Sequence, residues 1–137
     1  MLLQLLARDV HVWNIDLNCD RDRIHELSQL LTAQERQRAA KFINPTHGDR
    51  WSVARGYLRQ ILSRYLDLTP SQIVFTYGQQ GKPAIEGSQI QFNLSHSHDR
   101  AVYGISSRFP IGIDIEYIHL LAAADLVDRF FSPAERA

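Results

Sequence analysis

The segment Ile111–Tyr117, IGIDIEY, alternates isoleucine with small or acidic residues. Successive side chains of a strand point to opposite faces, so Ile111, Ile113 and Ile115 share one face while Asp114 and Glu116 share the other. The pattern predicts a strand with its isoleucine face in a core and its acidic face open. An apolar strand has no structural need for two acids side by side. Like charges that close repel unless a cation sits between them. Hard oxygen ligands with room for water and a phosphate favour Mg²⁺ over zinc. A solvent-facing strand carrying two hydrated acids satisfies the same spacing, and spacing alone does not separate the two readings.

The remainder of the chain can supply one core and little more. Its 137 residues suit a single modest domain. At 45% hydrophobic residues it should fold. A formal net charge of zero argues against a general nucleic-acid binder. The charge is nonetheless uneven. Seven basic residues (Arg36, Arg38, Lys41, Arg50, Arg55, Arg59, Arg64) and two acids (Glu35, Asp49) fall between Gln34 and Arg64, whereas five acids and two bases follow Phe109. A basic half facing an acidic, metal-ready half suits a phosphorylated ligand bridged by a cation, although solvated helix faces account for most of these charges. The single cysteine, Cys19, forbids an internal disulfide and predicts a reducing, cytoplasmic compartment. No stretch approaches ~18 consecutive apolar residues, so no membrane partner is expected. The start MLLQLLARDV lacks the basic region of a signal peptide.

Local patterns place the elements. Val10–Leu17 is β-rich with partial alternation and predicts a strand. Asp22–Leu31 carries Ile24, Leu27 and Leu31 at helical spacing. Thr32-Ala-Gln-Glu35 is a capping box that opens a short helix to about Phe42, closed by Asn44-Pro45. The longest helix is expected over about Arg50–Leu66, burying Trp51, Ala54, Leu58, Ile61, Leu62 and Tyr65, with Arg55 and Arg59 off that stripe. Strands are predicted at Ile73–Tyr77, Ile90–Leu94, Ala101–Ser106 and Ile111–Tyr117, with a turn at Gly78–Pro83 and a helix over Leu120–Phe131. Ser132-Pro133-Ala134-Glu135 reads as the start of a further helix: a capping serine, proline at the first helical position and glutamate at the third. Only Arg136 and Ala137 follow, too few for a helix to form. The expectation is a truncated product or one segment of a longer protein.

Several short motifs could carry chemistry. In Gly81-Lys82-Pro83, glycine lets the backbone approach a ligand and proline stiffens the base of a lysine that can serve as a point charge for phosphate. In Asn93-Leu94-Ser95-His96-Ser97-His98, serine and histidine at a strand end can donate hydrogen bonds to phosphate. A Ser–His nucleophile pair is disfavoured, because adjacent strand residues point apart and no nucleophile elbow surrounds them. His96 and His98 lack a third soft ligand for zinc, and His98 reads as an exposed loop residue.

Taken in order, Gly81-Lys82-Pro, Phe92-Asn-Leu-Ser-His96-Ser, Gly112-Ile-Asp114-Ile-Glu116 and Arg129-Phe-Phe-Ser-Pro-Ala-Glu135 resemble the surfactin-type 4′-phosphopantetheinyl transferases. Thr32–Phe42 and Arg50–Arg59 are similar to that family's N-terminal basic helices, so nearly the whole chain is covered. The resemblance implies an α+β fold: one lobe of a pseudo-twofold architecture, a small, mostly antiparallel sheet packed against a long helix. Residues 1–110 would form the N-terminal lobe and 111–137 the first strand and helix of a truncated second lobe. The implied reaction moves the phosphopantetheine arm of coenzyme A onto a serine of an acyl or peptidyl carrier protein, releasing adenosine 3′,5′-bisphosphate. Asp114 and Glu116 would hold Mg²⁺ against the pyrophosphate. His96, with Ser95 beside it, would contact the nucleotide's phosphates. Arg38, Arg50 and Lys82 would match the basic coenzyme A contacts, with Gly81 giving close backbone approach and Arg55 ranked below them. The family continues to a Lys-Glu-Ala helix bearing a third acid, beyond the last residue here. Two other readings stay open at this point: a non-catalytic remnant lobe that binds coenzyme A or a carrier protein, and an unrelated α+β domain whose motifs coincide.

Overall fold

The computed structural model describes residues 2–116. Tyr117, the helix expected over Leu120–Phe131 and the start signal at Ser132 lie outside the described residues. Five strands and three helices follow in the order β1 (Val10–Asp16), α1 (Arg21–Ser28), α2 (Ala33–Ala40), α3 (Pro45–Ser63), β2 (Phe75–Tyr77), β3 (Pro83–Ile85), β4 (Gln91–Ser97) and β5 (Arg100–Ser106). β5 lies between β1 and β4 in a three-stranded antiparallel sheet, and β2 pairs antiparallel with β3 in a hairpin. The fold is α+β, as expected.

Each helix starts where a side chain satisfies its free amides. The Asp20 carboxylate accepts from Arg23 N at 2.8 Å ahead of α1. The predicted capping box opens α2: Thr32 Oγ1 accepts from Glu35 N at 3.1 Å, and Glu35 Oε1 accepts from Thr32 N at 2.9 Å. Asn44-Pro45 behaves differently from expectation. It does not merely close α2; it opens α3, with the Asn44 side chain accepting from Thr46 N at 2.9 Å and Pro45 in the first turn. Proline costs nothing there, because its missing N–H would have had no partner.

The core forms between α3 and one face of the larger sheet. That face carries His11, Trp13 and Ile15 of β1, Ala101, Tyr103 and Ile105 of β5, and Phe92 and Leu94 of β4, in register. From α3 come Val53, Ala54, Leu58, Ile61 and Leu62, all buried. Each large apolar side chain so buried contributes about 1.5–3 kcal/mol relative to exposure. Tyr103 Oη donates to the Ala54 carbonyl at 2.6 Å and pins sheet to helix. α1 meets α3 at Gly56, where a Cβ would lie 2.8 Å from Leu27 Cβ.

Trp51, expected in the buried stripe, is half-buried, while Val53 is fully buried. Arg55 and Arg59, expected off that stripe, are buried, at 9% and 2% exposure. The reason is a counter-ion supplied from another element. Glu35 of α2, itself 8% exposed, accepts from Arg59 Nε at 2.9 Å and lies 2.8 Å from Arg59 Nη2 and 3.5 Å from Arg55 Nη1. Arg59 Nη1 also donates to the carbonyls of Pro70 and Ile73, at 3.0 and 2.8 Å. Periodicity cannot show that α3 is covered on this side, because the cover is α2 and the 70–73 turn.

The segment 111–116 also departs from expectation. Its alternation stands: the three isoleucines are half-buried, while Asp114 and Glu116 are exposed. Among the described residues, however, it joins no ladder. It lies over the outer face of the sheet, where Gly104 leaves room for it; a Cβ there would be 2.9 Å from Ile111 Cδ1. Its amides therefore meet side chains: Ile113 N donates to Asn93 Oδ1 at 3.1 Å and Ile115 N to Ser95 Oγ at 3.2 Å.

Candidate functional site

Adjoining clefts with basic linings lie between α3, the end of β4 and the β2–β3 hairpin. At one end, Phe42, His47, Arg50, Trp51, His96, Ser97 and His98 enclose a cleft of about 380 Å³. Its histidine comes from β4 and its arginine from α3, so the sheet–helix packing brings His96 to Arg50. At the other end, Arg38, Arg55, Tyr77, Gly81, Lys82, Pro83, Phe92, Asn93 and Leu94 line a cleft of about 190 Å³. A third cleft, lined by Glu35 and Arg59, shares Trp51 with the first and Arg38 and Tyr77 with the second, so the three lie side by side.

Cations in these clefts are of two kinds. Arg55 and Arg59 share the single Glu35 carboxylate, which offsets one of their two charges, and Arg55 Nη1 also donates to Tyr77 Oη at 3.1 Å. Arg38, Arg50 and Lys82 have no carboxylate partner among the described residues. Arg38 and Arg55 hold their guanidinium carbons 5.3 and 5.0 Å from the Trp51 ring centroid. Contact with the ring's negative face fixes both cations without neutralising them. The positive potential comes from the cations that the sequence singled out, and the Trp51 indole holds Arg38 in place among them.

Gly81 takes φ 77°, the left-handed region open to glycine, and its N–H donates to the Gly78 carbonyl at 3.0 Å within the hairpin turn. The turn aims Lys82 at the acidic segment, where Lys82 Nζ donates to the Ile111 carbonyl at 3.3 Å. Ser95 Oγ donates to Asp114 Oδ1 at 2.9 Å. Lys82 and Ser95 thus both contact the segment that carries Asp114.

Ser95 and His96 do not act together. They are neighbours on β4 and point to opposite faces of the sheet. His96 lines the Arg50 cleft, whereas Ser95 faces the acidic segment. The expectation that His96, with Ser95 beside it, contacts the nucleotide's phosphates requires those phosphates to reach both faces of the sheet. His98, at φ 53° in the β4–β5 turn, is exposed as expected.

Asp114 and Glu116 have no cationic partner among the described residues. No group of three His, Cys, Asp or Glu able to hold a metal occurs among those residues either. The pair is therefore a partial donor set of hard oxygens. This fits Mg²⁺, which keeps several waters and is commonly bound by one or two carboxylates plus phosphates. Sequence reasoning missed Asn93, Trp51 and Tyr77. Only Asn93 left a local trace, as a polar residue two positions before Ser95 and so on the same strand face.

Comparison with known proteins agrees with this geometry. Residues 17–107 match the family described as 4′-phosphopantetheinyl transferase, N-terminal. The 4′-phosphopantetheinyl transferase HetI of Nostoc sp. (strain PCC 7120) is 38% identical over 138 residues, covering 97% of this chain and 58% of that protein. A 4′-phosphopantetheinyl transferase of Bacillus subtilis is 32% identical over 106 residues, 77% of this chain and 46% of the relative. The 4′-phosphopantetheinyl transferase Sfp of Bacillus subtilis (strain 168) is 27% identical over 122 residues, 88% and 54% respectively. The chain spans about half the length of the curated relatives it matches. With two thirds of its residues inside the family match and several 4′-phosphopantetheinyl transferases more than 30% identical over most of its length, the chain belongs to the 4′-phosphopantetheinyl transferase family.

Proposed function

We propose that the protein carrying this chain transfers the 4′-phosphopantetheine arm of coenzyme A to a serine of an acyl or peptidyl carrier protein in the cytoplasm. In this reading residues 1–110 form the N-terminal lobe and 111–137 open the second. The observation that carries the proposal is the set of cations without a carboxylate partner, Arg50, Arg38 and Lys82, along adjoining clefts, with His96 beside Arg50 and Lys82 bonded to the segment that carries Asp114. A nucleotide with a 3′-phosphate and a pyrophosphate is a ligand of matching charge. Arg50 and His96 would take one phosphate, and Arg38 and Lys82 the pyrophosphate, with Gly81 allowing close backbone approach.

Asp114 and Glu116 would hold Mg²⁺, which when bound supplies charge neutralisation at the pyrophosphate oxygens. Transfer forms a bond from the carrier serine oxygen to phosphorus and breaks the bond to adenosine 3′,5′-bisphosphate; the serine proton passes to a base. The chain's own contribution is to orient and neutralise: fixed cations cost little reorganisation as charge moves onto the leaving phosphate. Ser95 belongs with the carboxylates in this scheme, through its bond to Asp114.

The test is the mass of an apo carrier protein after incubation with the protein, coenzyme A and Mg²⁺. Gain of one phosphopantetheine on the carrier serine is expected. Loss of that gain in Asp114→Ala, with an unchanged circular dichroism spectrum, would support the metal role. Unchanged turnover in that variant would refute it.

A further inference from the structure

We infer that Ser95 and Asn93 are positioning residues that strap the acid-bearing segment to the sheet and fix one oxygen of Asp114. The inference rests on the reading of Asp114 as a metal ligand. Residues 111–116 join no ladder among the described residues, so their amides need partners from side chains. β4 supplies two, at alternate positions and hence on one face. Asn93 Oδ1 accepts from Ile113 N at 3.1 Å, and Ser95 Oγ accepts from Ile115 N at 3.2 Å. Ser95 also donates to Asp114 Oδ1 at 2.9 Å. Below them, Ile111 fills the space left by Gly104.

The proton count decides between this role and phosphate binding. A serine hydroxyl has one proton and two lone pairs. Here the proton goes to Asp114 and one lone pair to the Ile115 amide. What remains is an acceptor, and a phosphate oxygen cannot donate to it. With Oδ1 held by the hydroxyl, rotation of the Asp114 carboxylate is restricted. Partners that orient a metal ligand commonly matter by about 10–100-fold in metal affinity.

The experiment compares Ser95→Ala, Ser95→Thr and Asn93→Ala in this chain, with three readouts. Amide hydrogen exchange is measured without metal or coenzyme A. Mn²⁺ affinity is measured by electron paramagnetic resonance. Coenzyme A affinity is measured in EDTA. For Ser95→Ala, exchange at Ile115 should quicken about tenfold, as loss of one hydrogen bond implies, and Mn²⁺ binding should weaken at least about tenfold. Coenzyme A affinity in EDTA should not change. Ser95→Thr, which keeps the hydroxyl, should restore both properties, and Asn93→Ala should quicken exchange at Ile113. Wild-type exchange at Ile115 in Ser95→Ala, failure of threonine to rescue, or weaker coenzyme A binding in EDTA would each overturn the inference. Failure of wild-type protein to bind Mn²⁺, with the exchange results as expected, would instead overturn the metal reading of Asp114.

Discussion

Removal of Glu35 tests the central structural claim, that one carboxylate lets two arginines lie inside this fold. In Glu35→Ala, Arg59 stays enclosed at 2% exposure, held by the Pro70 and Ile73 carbonyls, and loses its only counter-ion among the described residues. Arg55 loses the carboxylate 3.5 Å away, and the Thr32 amide loses its acceptor. Breaking a buried ion pair from one side costs about 3–5 kcal/mol, because a charge is left desolvated and unpaired. The lost capping bond overlaps with that cost, so about 4 kcal/mol is expected in total. With a urea slope of about 2 kcal/mol/M, the unfolding midpoint should fall by about 2 M. Glu35→Gln keeps an acceptor but not the charge and should lose about half as much; it supplies the reading if the alanine variant is unfolded without urea. Arg59→Met should cost more than Arg55→Met, since Glu35 Oε2 makes no hydrogen bond and faces Arg55 only at 3.5 Å. The assay is urea unfolding followed by far-ultraviolet circular dichroism. A midpoint within about 0.3 M of wild type for Glu35→Ala would refute the argument, since this cluster would then be as wet as a surface pair.

Three further outcomes follow from particular contacts. Tyr103→Phe removes the bond to the Ala54 carbonyl and should cost about 1 kcal/mol at pH 7. Burial raises the Tyr103 phenol well above its ordinary pKa of about 10, so the folded chain keeps a proton that the unfolded chain releases. Stability should therefore fall as pH rises above about 10, by up to ~1.4 kcal/mol per pH unit for this group, and Tyr103→Phe should flatten that alkaline limb in melting-temperature profiles. Gly56→Ala places a methyl 2.8 Å from Leu27 Cβ and should destabilise by about 1–3 kcal/mol in urea melts, although alanine is the better helix former. His96→Ala should weaken coenzyme A binding about tenfold and dephospho-coenzyme A binding little, by titration calorimetry, if this side chain meets the 3′-phosphate; equal losses would assign it elsewhere.

Much of the fold was legible because it depends on near neighbours in the chain. The capping box of Thr32 and Glu35, the strands around Val10, Phe92 and Ala101, and the outward direction of Asp114 and Glu116 all follow from spacings of two to four residues. The start of α3 at Asn44-Pro45 is equally local, since the dipeptide that ends one helical pattern caps the next helix. The motifs around Lys82, His96 and Asp114 carried the family likeness for the same reason: they are short and contiguous.

Partnership across long separations was not legible. No pattern within α3 shows that Arg59 will find Glu35 24 residues earlier, so a helix face that reads as solvated is inside. Alternation says that Ser95 and His96 diverge. Only the packing of α3 on one sheet face and of residues 111–116 on the other sends His96 to the Arg50 cleft and Ser95 to Asp114. Whether that last segment pairs through its backbone or through side chains depends on where it lies against the sheet, and Gly104 sets that place by what it lacks. Chain-local chemistry fixes which way a residue points, whereas the free energy of burying or pairing it depends on what the rest of the molecule brings there.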